Sequence, residues 1–170
     1  ISESGVVIAG TRYHDAKEPV ETSDLEFEVA GVKDVFREHV YLAMNKPAGF
    51  ECSHSPQHHE SVFSLLPERL LNRKVQCVGR LDVATEGLLL FTDDGQFSHR
   101  VTSPRSRVSK TYLARLRHPV SPDQVERLGE GVELNQETGL FHAVDICRLD
   151  EHLVRLSVER GCYHQVRRMF

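Results

Sequence analysis

The hydrophobic pattern of the chain is one of short strands. "VVIAG" and "LEFEVAG" near the N-terminus are apolar runs of strand length, joined by a polar loop that contains Pro19. "VKDVFREH" reads as a linker, and the character changes at Val40. "VYLAMNK" predicts a strand, and the proline and glycine of "KPAGF" predict a turn. "CSHSPQHHE" is a polar loop, and Ser61 after it is placed to cap a short helix over "VFSLLPERL". "VQCVG" and "GLLLFT" predict two further strands, with a turn at "TDDGQ". "QFSHRVT" reads as a short helix or a loop, ended by Pro104. "KTYLARLRH" alternates, with Thr111, Leu113, Arg115 and Arg117 on one face and Lys110, Tyr112, Ala114 and Leu116 on the other. "SPDQVERLGEG" has a serine N-cap, a proline at the first helical position and a glycine stop. "LFHAVDICRL" and "HLVRLSVE" are two more strands joined by "DEH", and "GCYHQVRRMF" stops inside a helical pattern. Many strands, few short helices and no regular βαβ alternation predict an α+β protein with a mostly antiparallel, mixed sheet.

The pattern divides the chain into residues 1–34, too small to be stable alone, a linker at 35–40, and a main domain over 41–170. No run of 18 apolar residues exists, so no transmembrane helix is expected. The first residues lack the basic region and apolar core of a signal peptide. Ile1 is not a start methionine, so the chain reads as a piece of a longer protein. Cys52, Cys77, Cys147 and Cys162 are scattered without a Cys-x-x-Cys, which argues against a zinc site or a disulfide framework and for a reducing cytoplasm.

The net charge of −4 speaks against nucleic acid until its distribution is read. Residues 1–34 hold eight acids and three bases, a local −5, which leaves +1 on the remainder. From His99 to Pro122 the chain carries Arg100, Arg105, Arg107, Lys110, Arg115 and Arg117 and no acid. Such a stripe is a footprint for phosphates or a solvated charged face.

Four groups invite a chemical reading. Cys52, His54, His58 and His59 are interrupted by Pro56 and have no second ligand pair, so a surface loop is the better reading than a metal site. Asp93-Asp94-Gly95 after a strand reads as a turn rather than a carboxylate pair. Asp82 stands before the apolar run Leu88 to Phe91, two residues after Arg80. If Val78 to Asp82 is extended, Arg80 and Asp82 share a face. They then form either an ordinary strand-end ion pair or a carboxylate held ionised in a cleft as nucleophile or base. Tyr112 is open to reading as core or as a stacking ring, and Arg167 as helix decoration or as part of a site.

Together, "YLAMNKPAGFECS", "VGRLDVATEGLLLFTDDGQFSHRVTSPR", "SKTYLARL" and "GCYHQVRRMF" resemble the RsuA-type pseudouridine synthases of ribosomal RNA over residues 40–170. The resemblance implies that family's catalytic domain, incomplete at its C-terminus, and residues 1–34 resemble the end of an S4-like RNA-binding domain. Cys162 departs from the family, where an arginine is common before Tyr-His-Gln. The resemblance further implies isomerisation of a uridine in ribosomal RNA, with "DDGQFSHRVTSPR" closest to enzymes acting on 16S RNA. It casts Asp82 as the catalytic aspartate, Tyr112 as the tyrosine that stacks on the base and assists loss of the C5 proton, and Arg167 as the basic residue that pairs with the aspartate. Arg80, Lys110, His164, Arg100, Arg105, Arg107 and Lys46 become candidates for RNA contact. The reaction is neither redox nor hydrolytic, so neither a cofactor nor a metal is expected. Ribosomal RNA is the expected partner, and a cytoplasmic monomer away from membranes is the expected state. The alternatives are a non-catalytic RNA-binding or ribosome-assembly module, a synthase acting on 23S RNA, and a glycosidase-like pair of Asp82 and Glu86, whose facing geometry the four-residue spacing does not assure.

Overall fold

The computed structural model describes residues 5–15, 17–23 and 25–170; residues 1–4, 16 and 24 of the N-terminal segment lie outside the described residues. The chain divides into two units, Ile1–Val40 and Tyr41–Phe170. In the first, strands β1 (Val6–Ile8), β2 (Thr11–Tyr13), β3 (Glu26–Val29) and β4 (Val32–Val35) form one antiparallel sheet in the order β2-β1-β3-β4. Two of its connections close on Ala-Gly pairs, Ala9-Gly10 and Ala30-Gly31, with positive φ at both residues. That is the geometry of tight two-residue hairpins. The hydrophobic pattern found β1 and β3 but not β2 and β4. Strand β4 occupies the start of the expected linker, and Phe36 N–H extends its pairing by donating to Leu25 O at 2.7 Å. Both missed strands are largely exposed and carry polar residues, so they leave no apolar signature.

The second unit begins with β5 (Tyr41–Lys46), then two short strands, β6 (Phe50–Glu51) and β7 (Glu60–Ser61), which pair in parallel. A 3₁₀ turn (Val62–Leu65) and helix α1 (Glu68–Asn72) lead to β8 (Gln76–Val78) and β9 (Gly87–Thr92). Helix α2 (Gly95–Thr102), a 3₁₀ turn (Pro104–Ser106), β10 (Lys110–Arg115) and α3 (Pro122–Glu130) follow. The chain continues through β11 (Val132–Glu133), β12 (Leu140–Phe141), β13 (Asp145–Arg148), β14 (Leu153–Val158) and α4 (Gln165–Met169). Two antiparallel three-stranded sheets, β5-β9-β8 and β10-β14-β13, carry the unit, with β11 and β12 paired separately. The mostly antiparallel α+β architecture with short helices is therefore the one expected. Among the described residues no helix is long and apolar enough to cross a membrane.

Three local expectations change. The helix expected from Ser61 is broken in two. Ser61 Oγ accepts from Phe63 N–H at 3.1 Å and caps only the 3₁₀ turn, and α1 starts after Pro67, whose ring and missing N–H bar a continuous helix. The turn expected at "TDDGQ" is a helix cap: Asp94 Oδ1 accepts from the N–H groups of Gln96 and Phe97, both at 2.9 Å, and starts α2. "LFHAVDICRL" is two strands, β12 and β13, in different sheets. The α3 signals hold in full. Ser121 and Gln124 exchange side-chain to backbone bonds at 3.0 and 3.2 Å, Pro122 opens the helix and Gly131 ends it.

Strands β9 and β14 are the central strands of their sheets. Leu89, Phe91 and Thr92 of β9 are buried, with Phe63 edge-on to Phe91 at 5.6 Å between ring centroids. Leu88, the first residue of the apolar run Leu88 to Phe91, is 70% exposed, because β9 keeps the two-residue alternation of a strand at its start. Around β14, Leu156 and Val158 pack with Leu128, Leu134, Phe141, Ala143 and Met169. On β10 the predicted alternation is observed: Tyr112 and Ala114 pack toward this core and Leu113 faces out.

Leu156 is 0% exposed and Leu113 66%. Leu156→Ala is expected to cost about 2–5 kcal/mol through the cavity it leaves, and Leu113→Ala no more than about 0.5 kcal/mol, as read from urea unfolding midpoints.

Candidate active site

Strand β8 stops at Val78, and Gly79 then turns the chain with φ +81°, a conformation that a side chain would strain. Arg80, Leu81 and Asp82 thus leave the sheet, and the shared strand face expected for Arg80 and Asp82 does not exist. The loop returns at Gly87 to start β9. Thr85 N–H donates to Asp82 O at 3.0 Å and Gly49 N–H to Val83 O at 2.8 Å, which closes the loop and ties it to the turn after β5.

The strongest hold on this loop comes from Lys46, the last residue of β5, opposite Gly87. Its side chain is 0% exposed. Lys46 Nζ donates to the carbonyls of Pro47 at 2.9 Å, Thr85 at 3.0 Å, Val83 at 3.2 Å and Asp82 at 3.3 Å. A buried ammonium is costly unless its donors are satisfied, and here carbonyl dipoles surround it. Lys46, expected to contact RNA, is buried and committed to the loop carbonyls, so it is a positioning residue and not an RNA contact.

With its backbone held from below, the Asp82 carboxylate is left partly exposed, and His164 Nε2 lies 3.5 Å from its Oδ1. Tyr112 projects from β10 on the face that also carries Lys110. Burial, and second the charge of Asp82, push the Tyr112 hydroxyl above the ordinary phenol range, so the ring stands within electrostatic reach of the carboxylate. Asp82 from the β8–β9 loop, Tyr112 from β10 and His164 from the start of α4 thus form one site, although 82 residues of chain separate the first from the last.

The expected partner of Asp82 is corrected. Arg167 is exposed on α4, and among the described residues it is His164 that pairs with the carboxylate. The reason is local. His164 adopts a left-handed conformation, φ +50°, at the entry to α4, which sends its ring toward the Asp82 loop. Tyr163, 73% exposed, stacks on that ring with centroids 3.7 Å apart.

Arg168, to which the sequence pattern assigns no role, holds this entry in place. Its guanidinium donates to Tyr163 O at 3.1 Å, to Glu137 Oε1 at 3.0 Å and to Asn135 O. The signal was available in "VRRM", where one arginine faces water and the next does not, but a five-residue helix has too little periodicity to separate them.

The basic stripe is not one face. Arg105 and Arg107 are exposed around the 3₁₀ turn before β10, and Arg100 is exposed on α2. Lys110 donates to Val108 O at 2.8 Å on the Tyr112 side, whereas Arg115 points from the opposite face of β10. The loop after β6 is organised by Glu51, whose carboxylate accepts from the N–H groups of Gln57, His58 and His59 at 2.9–3.0 Å. His54 stacks on Phe63 at 3.6 Å. Asp93 is bound by Arg73 at 2.6 Å and Asp94 accepts from Tyr41 Oη at 2.7 Å, so both acids of "TDDGQ" have structural work.

Comparison with known proteins bears on this arrangement. Residues 40–170 match the family described as RNA pseudouridylate synthase. The ribosomal small subunit pseudouridine synthase A of Yersinia pestis is 45% identical over 130 residues, covering 76% of this chain and 55% of that protein. The protein of the same name from Escherichia coli K12 is 44% identical over 130 residues, 76% of this chain and 56% of its own. The chain thus spans little more than half the length of these relatives. A solved structure titled as a pseudouridylate synthase superposes with a TM-score of 0.73 at 34% identity, over 98% of this chain and 71% of its own.

Lys46→Met is expected to destabilise the fold by about 2–4 kcal/mol, since loop carbonyls lose their donor. Hydrogen exchange should show protection lost first at the amides of Gly49 and Thr85; uniform loss across the unit would mean that Lys46 does not act through the loop. For Tyr112, the absorbance titration that Tyr112→Phe removes should have its midpoint above the ordinary phenol range. Asp82→Asn takes away a negative charge that opposes phenolate formation, so it should lower that midpoint, with burial keeping part of the elevation. An unmoved midpoint would show that the carboxylate does not act on the phenol.

Proposed function

The chain belongs to the RNA pseudouridylate synthase family, and from this premise we propose that it converts a uridine of ribosomal RNA, in the 16S molecule of the small subunit, to pseudouridine with Asp82 as the catalytic carboxylate. The observation that carries the reading is the placement of Asp82: a partly exposed carboxylate on a loop fastened by a buried lysine, paired with His164 and within electrostatic reach of the Tyr112 hydroxyl. The choice of 16S RNA rests on relatives named for the small subunit at 44–45% identity.

The isomerisation breaks the bond between ribose C1′ and uracil N1, turns the base and bonds C5 to C1′. The C5 proton is then lost and N1 regains one, so atoms and electrons balance without an oxidant or water. The chain must supply a group that manages charge while the base is detached, a surface that keeps the base from escaping and a site that is already ordered. Asp82 takes the first role. Tyr112, held against the core on one side, takes the second by stacking on the base, and its hydroxyl assists removal of the C5 proton. With its pKa raised further, the phenol keeps its proton, so the hydroxyl acts there as a hydrogen-bonding group beside the C5 proton and does not itself accept it. The third requirement is met by Lys46, because a carboxylate displaced by about 1 Å loses on the order of 100-fold in rate.

A uridine must leave its stack to reach this site. The exposed Tyr163 ring on His164 offers a stacking surface at the mouth. Arg100, Arg105, Arg107 and Arg167 are free to hold phosphates, and Arg80 and Lys110 lie nearer the loop and Tyr112; such contacts fix register rather than read bases. We read the N-terminal unit as the end of an S4-like RNA-binding domain. Its excess of acids makes it a weak phosphate binder, so the main grip falls to the catalytic unit. A monomer acting on ribosomal RNA in the cytoplasm completes the reading.

Asp82→Asn should abolish tritium release from ribosomal RNA labelled at uridine C5, with RNA affinity kept within about threefold, since the change removes no phosphate contact. Release at the normal rate would overturn the catalytic role of Asp82. RNA binding without release by the unmutated protein would favour a non-catalytic binding module.

A further inference from the structure

Gln165, the residue after His164, lines a cavity of about 340 Å³ that has no part in the chemistry above. That volume falls in the range of small-ligand pockets, roughly 300–1,000 Å³. Four separate stretches build the cavity: Arg107 ahead of β10, Phe141 and His142 at β12, Glu159 and Arg160 after β14, and Gln165 at the start of α4.

Gln165 is 6% exposed, yet its polar atoms are not all used. Its Oε1 accepts from Cys162 N–H at 3.2 Å, and its Nε2 has only Met169 Sδ, a weak acceptor, at 3.7 Å. An amide nitrogen carries two donors, so one N–H of this buried group has no partner among the described residues. Arg160 lies over the Phe141 ring, its guanidinium carbon 4.4 Å from the centroid, and Phe141 is 2% exposed. The stack holds the charge at the cavity without neutralising it. Arg107 follows the 3₁₀ turn in a left-handed conformation, φ +50°, which a β-carbon disfavours. Neither arginine has an ion pair among the described residues. Glu159 is the one acid on the lining, so the two guanidiniums leave the balance positive.

We propose that this cavity binds a nucleotide that flanks the target uridine in the RNA, with its phosphate on Arg107 and Arg160 and its base edge on the Gln165 amide.

The ligand class follows from the lining. Two unpaired guanidiniums fit a phosphate. A phosphate alone leaves the buried amide donor without a role, whereas the edge of an unstacked base offers it carbonyl and ring-nitrogen acceptors. The place along the RNA follows from the chain. His164, one residue before Gln165, pairs with Asp82, and Arg107 lies five residues before Tyr112 on the stretch that enters β10. A strand whose uridine reaches Asp82 therefore brings its neighbouring nucleotides to the cavity. The enzyme would then choose its uridine partly by a neighbour. That consequence rests on the proposed function; binding of a nucleotide in the cavity does not.

The test titrates isotope-labelled protein at low salt with each nucleoside 5′-monophosphate, and with inorganic phosphate at equal ionic strength. Nuclear magnetic resonance follows the Gln165 side-chain amide and the Tyr112 ring. A saturable shift of the Gln165 amide with at least one monophosphate, and none with phosphate, is expected. No shift with any monophosphate would overturn the site, and an equal shift with phosphate would reduce it to an anion site. Arg107→Gln should weaken the Gln165 response about tenfold and leave that of Tyr112 unchanged. Parallel weakening of both would place the ligand at Asp82 and overturn a second site. Gln165→Glu, which keeps an acceptor for Cys162 N–H, should change which monophosphate binds best; an unchanged order would overturn the base contact. With 16S ribosomal RNA, Arg107→Gln and Arg160→Gln should each raise the RNA concentration for half-maximal tritium release about tenfold, at an unchanged rate at saturation. Arg115→Gln removes the same charge from the opposite face of β10 and should not. Equal effects of all three would mean that charge alone acts. If the unmutated protein releases no tritium, the functional reading fails and the titration still decides the cavity.

Discussion

The arrangement around Asp82 depends on one buried cation. Lys46 brings an ammonium under a loop that has no regular structure of its own and gives its carbonyls a common partner. Without it, the 79–86 loop would have to hold its shape through the Thr85–Asp82 and Gly49–Val83 bonds alone. The cost of burying the charge is offset only when the carbonyls of residues 82, 83 and 85 converge, so the charge selects one loop conformation over the many that a short polar segment can visit.

The remaining site groups are held by different means. Tyr112 belongs to β10, in register with fully buried Leu156 on β14, so its position follows from sheet pairing and core packing. His164 depends on Arg168, which gathers Tyr163 O, Glu137 and Asn135 O around the entry to α4. A loop fastened by a lysine, a ring fixed by a sheet and an imidazole held by an arginine converge on one carboxylate. The outer groups, Tyr163 and the arginines at 100, 105, 107 and 167, remain exposed, as suits contacts that must follow a flexible polyanion. Anchored inner groups and exposed outer ones are the division that the proposed chemistry requires.

What the sequence determined by itself is everything that rests on nearest neighbours and periodicity. Strand-length apolar runs placed β5, β9 and β14, alternation placed β10, and cap chemistry placed α3 through Ser121, Pro122 and Gly131. The motifs around Asp82, Tyr112 and residues 163–169 carried the family, because those residue types in that order are specific even when their contacts are unknown. Tertiary structure alone decided which groups meet. A lysine at a strand end looks the same whether it faces RNA or lies under a loop, and Lys46 does the latter. Arg167 and Arg168 are adjacent, yet one faces water and the other binds Asn135 O and Glu137 of a distant loop as well as Tyr163 O. His164 reaches Asp82 only through a left-handed residue that no hydrophobic pattern records. Burial, partner and charge state are properties of contacts distant in sequence, and periodicity carries no information about them.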